Sequence, residues 1–161
     1  MNPSELWPLR CLSLKKSLEE EFTVQMTWRS SQDVQFDCPI VAGVDKHEYA
    51  LRLCANPMYP EVWPDLSVWH PSVLPRKPSG TMNEVGWSSD WHTVSPGPDG
   101  RVRICHSHPG QWDANCTYVQ VMLSGVLWCT AYEVHLMTGE TIACILNRLA
   151  ELERNEKEAQ P

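Results

Sequence analysis

The sequence predicts an α+β fold in one domain spanning residues 1–161. Three observations predict it. Two-residue alternation of apolar and polar side chains is gathered in the first half of the chain. Helical periodicity fills the last third. Between them, Pro71 to Gly100 is rich in Pro, Ser, Gly and Asp. Strands that run together, followed by helices that run together, argue for segregated layers and against βαβ units. A chain of 161 residues is long enough for one sizeable core.

The elements follow in order. Residues 12–22 place Leu14, Leu18 and Phe22 four apart among charges, which predicts a short amphipathic helix and sets the start of the core at residue 12. Val24, Met26 and Trp28 alternate with polar residues as a half-buried strand. Cys38 to Gly43 reads as a second strand at a sheet edge. Tyr49, Leu51 and Leu53 share one face of a third, and Leu66 to Trp69 is a short fourth. Four prolines between Pro57 and Pro71 keep 56–64 as extended loop, because proline cannot donate to a ladder. The stretch from Pro71 to Gly100 is long for a compact domain, the length expected of a lid or functional loop. Val102 and Ile104 then alternate with Arg101 and Arg103, and the Pro109-Gly110 turn follows Cys105. Residues 118–137 are apolar nearly all round, as in a buried helix, with Gly139 as its stop. Ile142, Ile145, Leu146, Leu149 and Leu152 form the stripe of a last helix. The core is expected to end at residue 153, with 154–161 a charged, frayed tail.

Composition excludes several classes. A net charge of −7 argues against a nucleic-acid partner. No apolar run reaches membrane-spanning length, and MNPSELWPLR lacks the apolar centre of a signal peptide, so a cytoplasmic location without membrane association is expected. Seven cysteines, an odd number without a C-x-x-C pair, argue against disulfides and structural zinc. Cys54, Cys116, Cys129 and Cys144 stand among apolar neighbours and read as small core residues. Most of the eight tryptophans read as packing.

The stretch GRVRICHSHPGQWD, 100–113, carries the chemistry. Cys105 lies at the exit of a short extended piece, held by a loop, in polar, turn-rich surroundings. It reads as a nucleophile, as a metal ligand with His106 and His108, or as a buried sulfur. Metal ligation requires a third or fourth ligand from elsewhere in the chain, so neither metal nor cofactor is expected. A nucleophilic cysteine needs positive charge to lower its pKa, and Arg101, Arg103, His106 and His108 are near in sequence. The oxyanion of an acyl transfer needs a donor. His92, His106, His108 and Asn115 are the side-chain candidates. Each histidine also has a plain reading: His106 and His108 as exposed loop residues, His92 as packing at a strand end.

Tyr59-Pro60 with Pro64, Trp91-His92 followed by Asp99-Gly100 and Ile104-Cys105, and Trp112 seven residues past the cysteine occur in the order found in ubiquitin-conjugating enzymes. Residues 12–140 resemble that family. Trp28, Trp128, Tyr132-Glu133 and Thr138-Gly139 resemble its bacterial members, whose stand-alone proteins accompany cGAS/DncV-like nucleotidyltransferases in CBASS anti-phage operons. The family's His-Pro-Asn triplet is absent: Thr93 and Val94 follow His92, and His70-Pro71 stands 35 residues before Cys105. Residues 72–90 then form an insertion.

The resemblance implies a ubiquitin-conjugating (UBC) fold: an N-terminal helix, a four-stranded antiparallel meander, a long active-site loop, a buried central helix and a C-terminal helix. It implies a transferase in which Cys105 holds the C-terminal carboxyl of a partner protein as a thioester, with His92, His106 and His108 as the other catalytic candidates. The implied partner is a cGAS/DncV-like nucleotidyltransferase, bound by its C-terminal tail and regulated in antiviral defence. Two alternatives stand beside this: an inactive module of the same fold that binds a peptide tail, and the conjugating enzyme of a bacterial ubiquitin-like system with its own activating enzyme.

Overall fold

The computed structural model describes residues 3–107, 111–113 and 115–160. Helix α1 (Pro3–Glu19) precedes strands β1 (Gln25–Trp28), β2 (Val34–Ala42), β3 (His47–Ala55) and β4 (Asp65–His70). After the long connection come β5 (Thr93–Val94), β6 (Val102–Ile104), α2 (Tyr118–Thr138) and α3 (Ile142–Ala159). The sheet is antiparallel throughout, in the order β1-β2-β3-β4-β6-β5. The α+β class is as expected, and the first four strands form a meander.

Side-chain parity explains the core. Val34, Phe36 and Cys38 of β2, Tyr49, Leu51 and Leu53 of β3, Leu66 and Val68 of β4, and Val102 and Ile104 of β6 are all buried. Helix α2 lies over this face. Gly125 permits the close approach: a Cβ there would sit 2.7 Å from Leu51 Cδ1 and 3.0 Å from Leu66 Cδ2. The helix is well capped, with Thr117 and Gln120 forming a capping box and Gly139 closing it at φ 75°.

Several boundaries differ from expectation. Helix α1 starts at Pro3, nine residues before the expected 12, because Trp7 and Cys11 supply buried positions upstream of the predicted stripe. Phe22 lies past its end, in a turn closed by its N–H on Leu18 O. The strand expected at an edge, β2, runs between β1 and β3. β1 covers it only from Val34 to Asp37, so Pro39 meets no strand on that side and its missing N–H breaks no β1 ladder bond. Helix α3 continues to Ala159, well past the expected fraying point, although only Ile142 and Ile145 are buried. Of the four cysteines assigned to the core, only Cys129 is buried; Cys54 and Cys144 are exposed and Cys116 is half-buried, while Cys11 and Cys38 are buried instead.

The long connection is packed down, which corrects the expectation of a lid. Leu74 and Met82 are each 1% exposed. Asn83 accepts from Leu74 N–H at 3.0 Å and donates to Ser72 O and Gly100 O at 2.9 Å. From α2, Tyr132 OH donates to Pro75 O at 2.7 Å, and His135 Nε2 accepts from Lys77 N–H at 3.0 Å.

Glu133 is the buried carboxylate of α2, 6% exposed. It accepts from Tyr49 OH and pairs with His47 Nδ1 at 2.8 Å. Hydrogen bonding to Glu133 and its charge raise the His47 pKa; Asp45 acts in the same direction. A folded-state pKa above the unfolded one gives stability that is full below about pH 6.5 and lost as pH rises through the folded value. The stability difference between wild type and His47→Gln, read from urea midpoints, is expected to be larger at about pH 6 than at about pH 9. A difference constant across that range would overturn the pairing.

Candidate functional site

The site is built on the exit of β6. Val102 and Ile104 face the core, Arg101 and Arg103 face outward, and Cys105 follows at the strand end, half-buried. Its thiol donates to Ser107 O at 3.2 Å. Its backbone N–H donates to His92 O at 2.9 Å.

That last bond belongs to a clamp of three consecutive carbonyls. Residues 88–93 form a small hairpin, closed by mutual Ser88 and Thr93 backbone bonds at 3.0 and 3.1 Å. His92 takes a left-handed conformation there, at φ 49°. Asp90 O accepts from Ala143 N–H at the start of α3, Trp91 O from Trp128 Nε1 of α2, and His92 O from Cys105 N–H, all at 2.9 Å. The cysteine is therefore held in register with both following helices.

A second network holds the loop after the cysteine. His106 Nε2 donates to Pro64 O at 2.8 Å. Its ring centre lies 4.9 Å from that of Trp63 and 5.8 Å from that of Trp112. Trp112 Nε1 donates to Pro60 O at 2.6 Å, and Tyr59 OH to Cys116 O at 2.9 Å. The Tyr-Pro turn, His106 and Trp112, far apart in sequence, thus form one aromatic brace.

Cys105 opens onto a cavity of about 530 Å³, shared with Trp63, Trp87, His92, Val94 and Asn147. The hydroxyl-bearing Ser88, Ser89 and Thr93 complete its polar lining, although Thr93 Oγ1 is already donated to Gly86 O at 2.6 Å. No Asp, Glu, Lys or Arg among the described residues lines it.

The sequence-predicted residues are distributed unevenly. His92 and Cys105 share the cavity. His106 is adjacent in sequence but braced between two indoles, and burial lowers its pKa, which suits a neutral ring in a structural position. His108 lies outside the described residues. Asn115 is exposed and does not line the cavity. Trp87, Ser88, Ser89 and Asn147 were not anticipated. Asn147 arrives from α3, more than forty residues beyond the cysteine, and only the helical register of that element could have pointed to it.

The expected electrostatic activation of the thiol is not what the geometry supplies. Arg103 is paired with Asp65 and donates to Ser95 O at 3.0 Å. The Arg101 guanidinium lies 4.5 Å from the centre of the Trp69 ring, which Arg52 also covers at 3.4 Å. With these cations engaged elsewhere, burial pushes the Cys105 thiol up. Iodoacetamide should therefore modify Cys105 more slowly than a model-peptide cysteine at neutral pH, with the gap closing as pH passes the raised pKa. Faster modification than the peptide would overturn this.

Among the described residues, no group of three or more His, Cys, Asp or Glu side chains is placed to hold a metal ion. No described helix is long and apolar enough to cross a membrane. No protein-family model, curated protein or solved structure matches the chain.

Proposed function

We propose that this chain is a ubiquitin-conjugating-like acyl carrier whose Cys105 takes the C-terminal acyl group of a partner protein as a thioester. The observation that carries the reading is the half-buried thiol of Cys105, held in register by a backbone clamp, on the wall of a cavity that no described Asp, Glu, Lys or Arg lines. The order of helix, four-strand meander, cysteine-bearing loop and two helices is consistent with the UBC fold. The brace of Tyr59, His106 and Trp112 and the anchoring of Trp91 by Trp128 give the resembling motifs a common purpose around one sulfur.

In the proposed step the Cys105 thiolate attacks the carbonyl carbon of an incoming thioester. A new Sγ–C bond forms as the donor's C–S bond breaks, and the donor thiol leaves with the proton that Cys105 gave up. The oxyanion formed on the way needs a donor. His92, Asn147 and the serine hydroxyls are the cavity-lining groups able to provide one. By resemblance, the partner is a cGAS/DncV-like nucleotidyltransferase in the bacterial cytoplasm. Tethering or priming it would raise its output of signalling nucleotide.

The raised Cys105 pKa favours a second reading, an inactive module that only binds the tail. Intact mass spectrometry of the chain co-expressed with its operon partners, without reductant, separates the two. The expected result is an adduct equal to the partner mass less one water, released by dithiothreitol. A tight complex containing only unmodified Cys105 would overturn the carrier reading. The identity of the adduct also distinguishes a nucleotidyltransferase from a ubiquitin-like protein.

A further inference from the structure

The cavity beside Cys105 is larger than a narrow backbone tail requires. At about 530 Å³ it lies within the size range of small-ligand pockets, roughly 300–1,000 Å³. Its two largest lining groups are indoles of unlike status. Trp63 is fixed, with its ring 4.9 Å from His106. Trp87 is 71% exposed and makes no ring contact among the described residues. An indole left in water at the mouth of a cavity has apolar surface still to bury. Among the described residues, no Asp, Glu, Lys or Arg belongs to the lining. A neighbouring cavity of about 300 Å³ shares Trp63 and holds Arg29, Asp33 and Asp65. A charged side chain entering beside Cys105 would lose water and find no counter-charge.

We infer that the acyl tail accepted by Cys105 carries an aromatic side chain at its penultimate residue, seated between Trp63 and Trp87. This rests on the carrier reading above. The last residue must lie at the sulfur for its carbonyl to be attacked, and the preceding Cα is 3.8 Å further along a trans chain. Cys105 and the two indoles line one cavity, so the space between the rings is within reach of the penultimate side chain. Offset or edge-on ring contacts there favour an aromatic over a glycine of the same tail.

The test uses synthetic peptides bearing a C-terminal mercaptoethanesulfonate thioester and ending in Phe-Gly, Gly-Gly or Glu-Gly. Transfer forms the Cys105 Sγ–acyl bond and breaks the bond to mercaptoethanesulfonate, which leaves as the free thiol. Intact mass and peptide mapping report acylation of Cys105. Phe-Gly is expected to react about tenfold or more faster than either competitor. Trp87→Ala, a substitution at an exposed ring, is expected to bring the Phe-Gly rate to within about twofold of the Gly-Gly rate. Equal rates in wild type would overturn the inference and leave the carrier reading standing. A preference for Phe-Gly that survives Trp87→Ala would overturn the placement between the indoles. If no peptide acylates Cys105 while iodoacetamide still alkylates it, the carrier reading falls and the inference with it.

Discussion

Cys105→Ala is expected to abolish the reducible partner adduct while the fold survives. The reason lies in how the residue is held. Its backbone bond to His92 O does not involve the side chain, so the clamp remains. The substitution loses one sulfur hydrogen bond, to Ser107 O, worth about 0.5–1.5 kcal/mol. A change of about 1 kcal/mol moves the melting temperature of a chain this size by roughly 2–4 °C. The adduct, by contrast, loses the one cysteine sulfur among the described residues that lines the cavity. Cys11, Cys38 and Cys129 cannot substitute. They are buried, and burial pushes the first two up to about 11 and about 12. Cys54 and Cys144 are exposed and remain as internal controls. An adduct that persists in Cys105→Ala would trace to such surface thiols and remove the central proposal.

Two further variants separate chemistry from binding. Cys105→Ser exchanges a thioester for an oxygen ester, so any species formed should resist dithiothreitol. Cys105→Lys would trap the acyl group as an amide. The inactive-module reading expects tail binding in every variant and a covalent species in none.

The fold was legible where side-chain parity is strict. Tyr49, Leu51 and Leu53 mark the inner face of β3, and Val102 and Ile104 that of β6. The same parity assigns the cysteines: Cys54 follows Leu53 and must face outward, while Cys38 is in phase with Val34 and Phe36 and must face inward. Judging a cysteine by the apolarity of its neighbours misplaces Cys54 for that reason. The early start of α1 rests on the buried Trp7 and Cys11, which lie upstream of the Leu14, Leu18 and Phe22 spacing that marks the helix in the sequence. At the site, Cys105 and its approach strand were visible because the cues are local. The electrostatic environment was not. Arg103 is drawn away by Asp65, 38 positions earlier, and Arg101 by Trp69, so nearness in sequence gives the wrong sign for the thiol. The carbonyl clamp is invisible for a different reason: it is made by backbone atoms that every residue carries.

Trp128 is where stability and site meet, and Trp128→Ala is expected to cost about 3–5 kcal/mol, a large share of the roughly 5–15 kcal/mol that holds a domain together. The ring is 1% exposed, stacked on Tyr132 at 5.6 Å with an interplanar angle of 7°. Trp128→Phe is the more informative change. It keeps much of the volume but leaves Trp91 O without its 2.9 Å donor, a loss of about 1–3 kcal/mol in urea denaturation. Trp91 O is the middle carbonyl of the clamp, one residue before the carbonyl that holds Cys105. Loosening it should let the hairpin 88–93 move and expose the half-buried thiol. Leu18→Ala removes a fully buried side chain of α1 that takes no part in the clamp and supplies the control for general destabilisation. Iodoacetamide is expected to modify Cys105 faster in Trp128→Phe than in Leu18→Ala, although a buried Leu→Ala change by itself costs about 2–5 kcal/mol. Equal rates would mean that the register of Cys105 does not depend on α2, and that Trp128 serves the core alone.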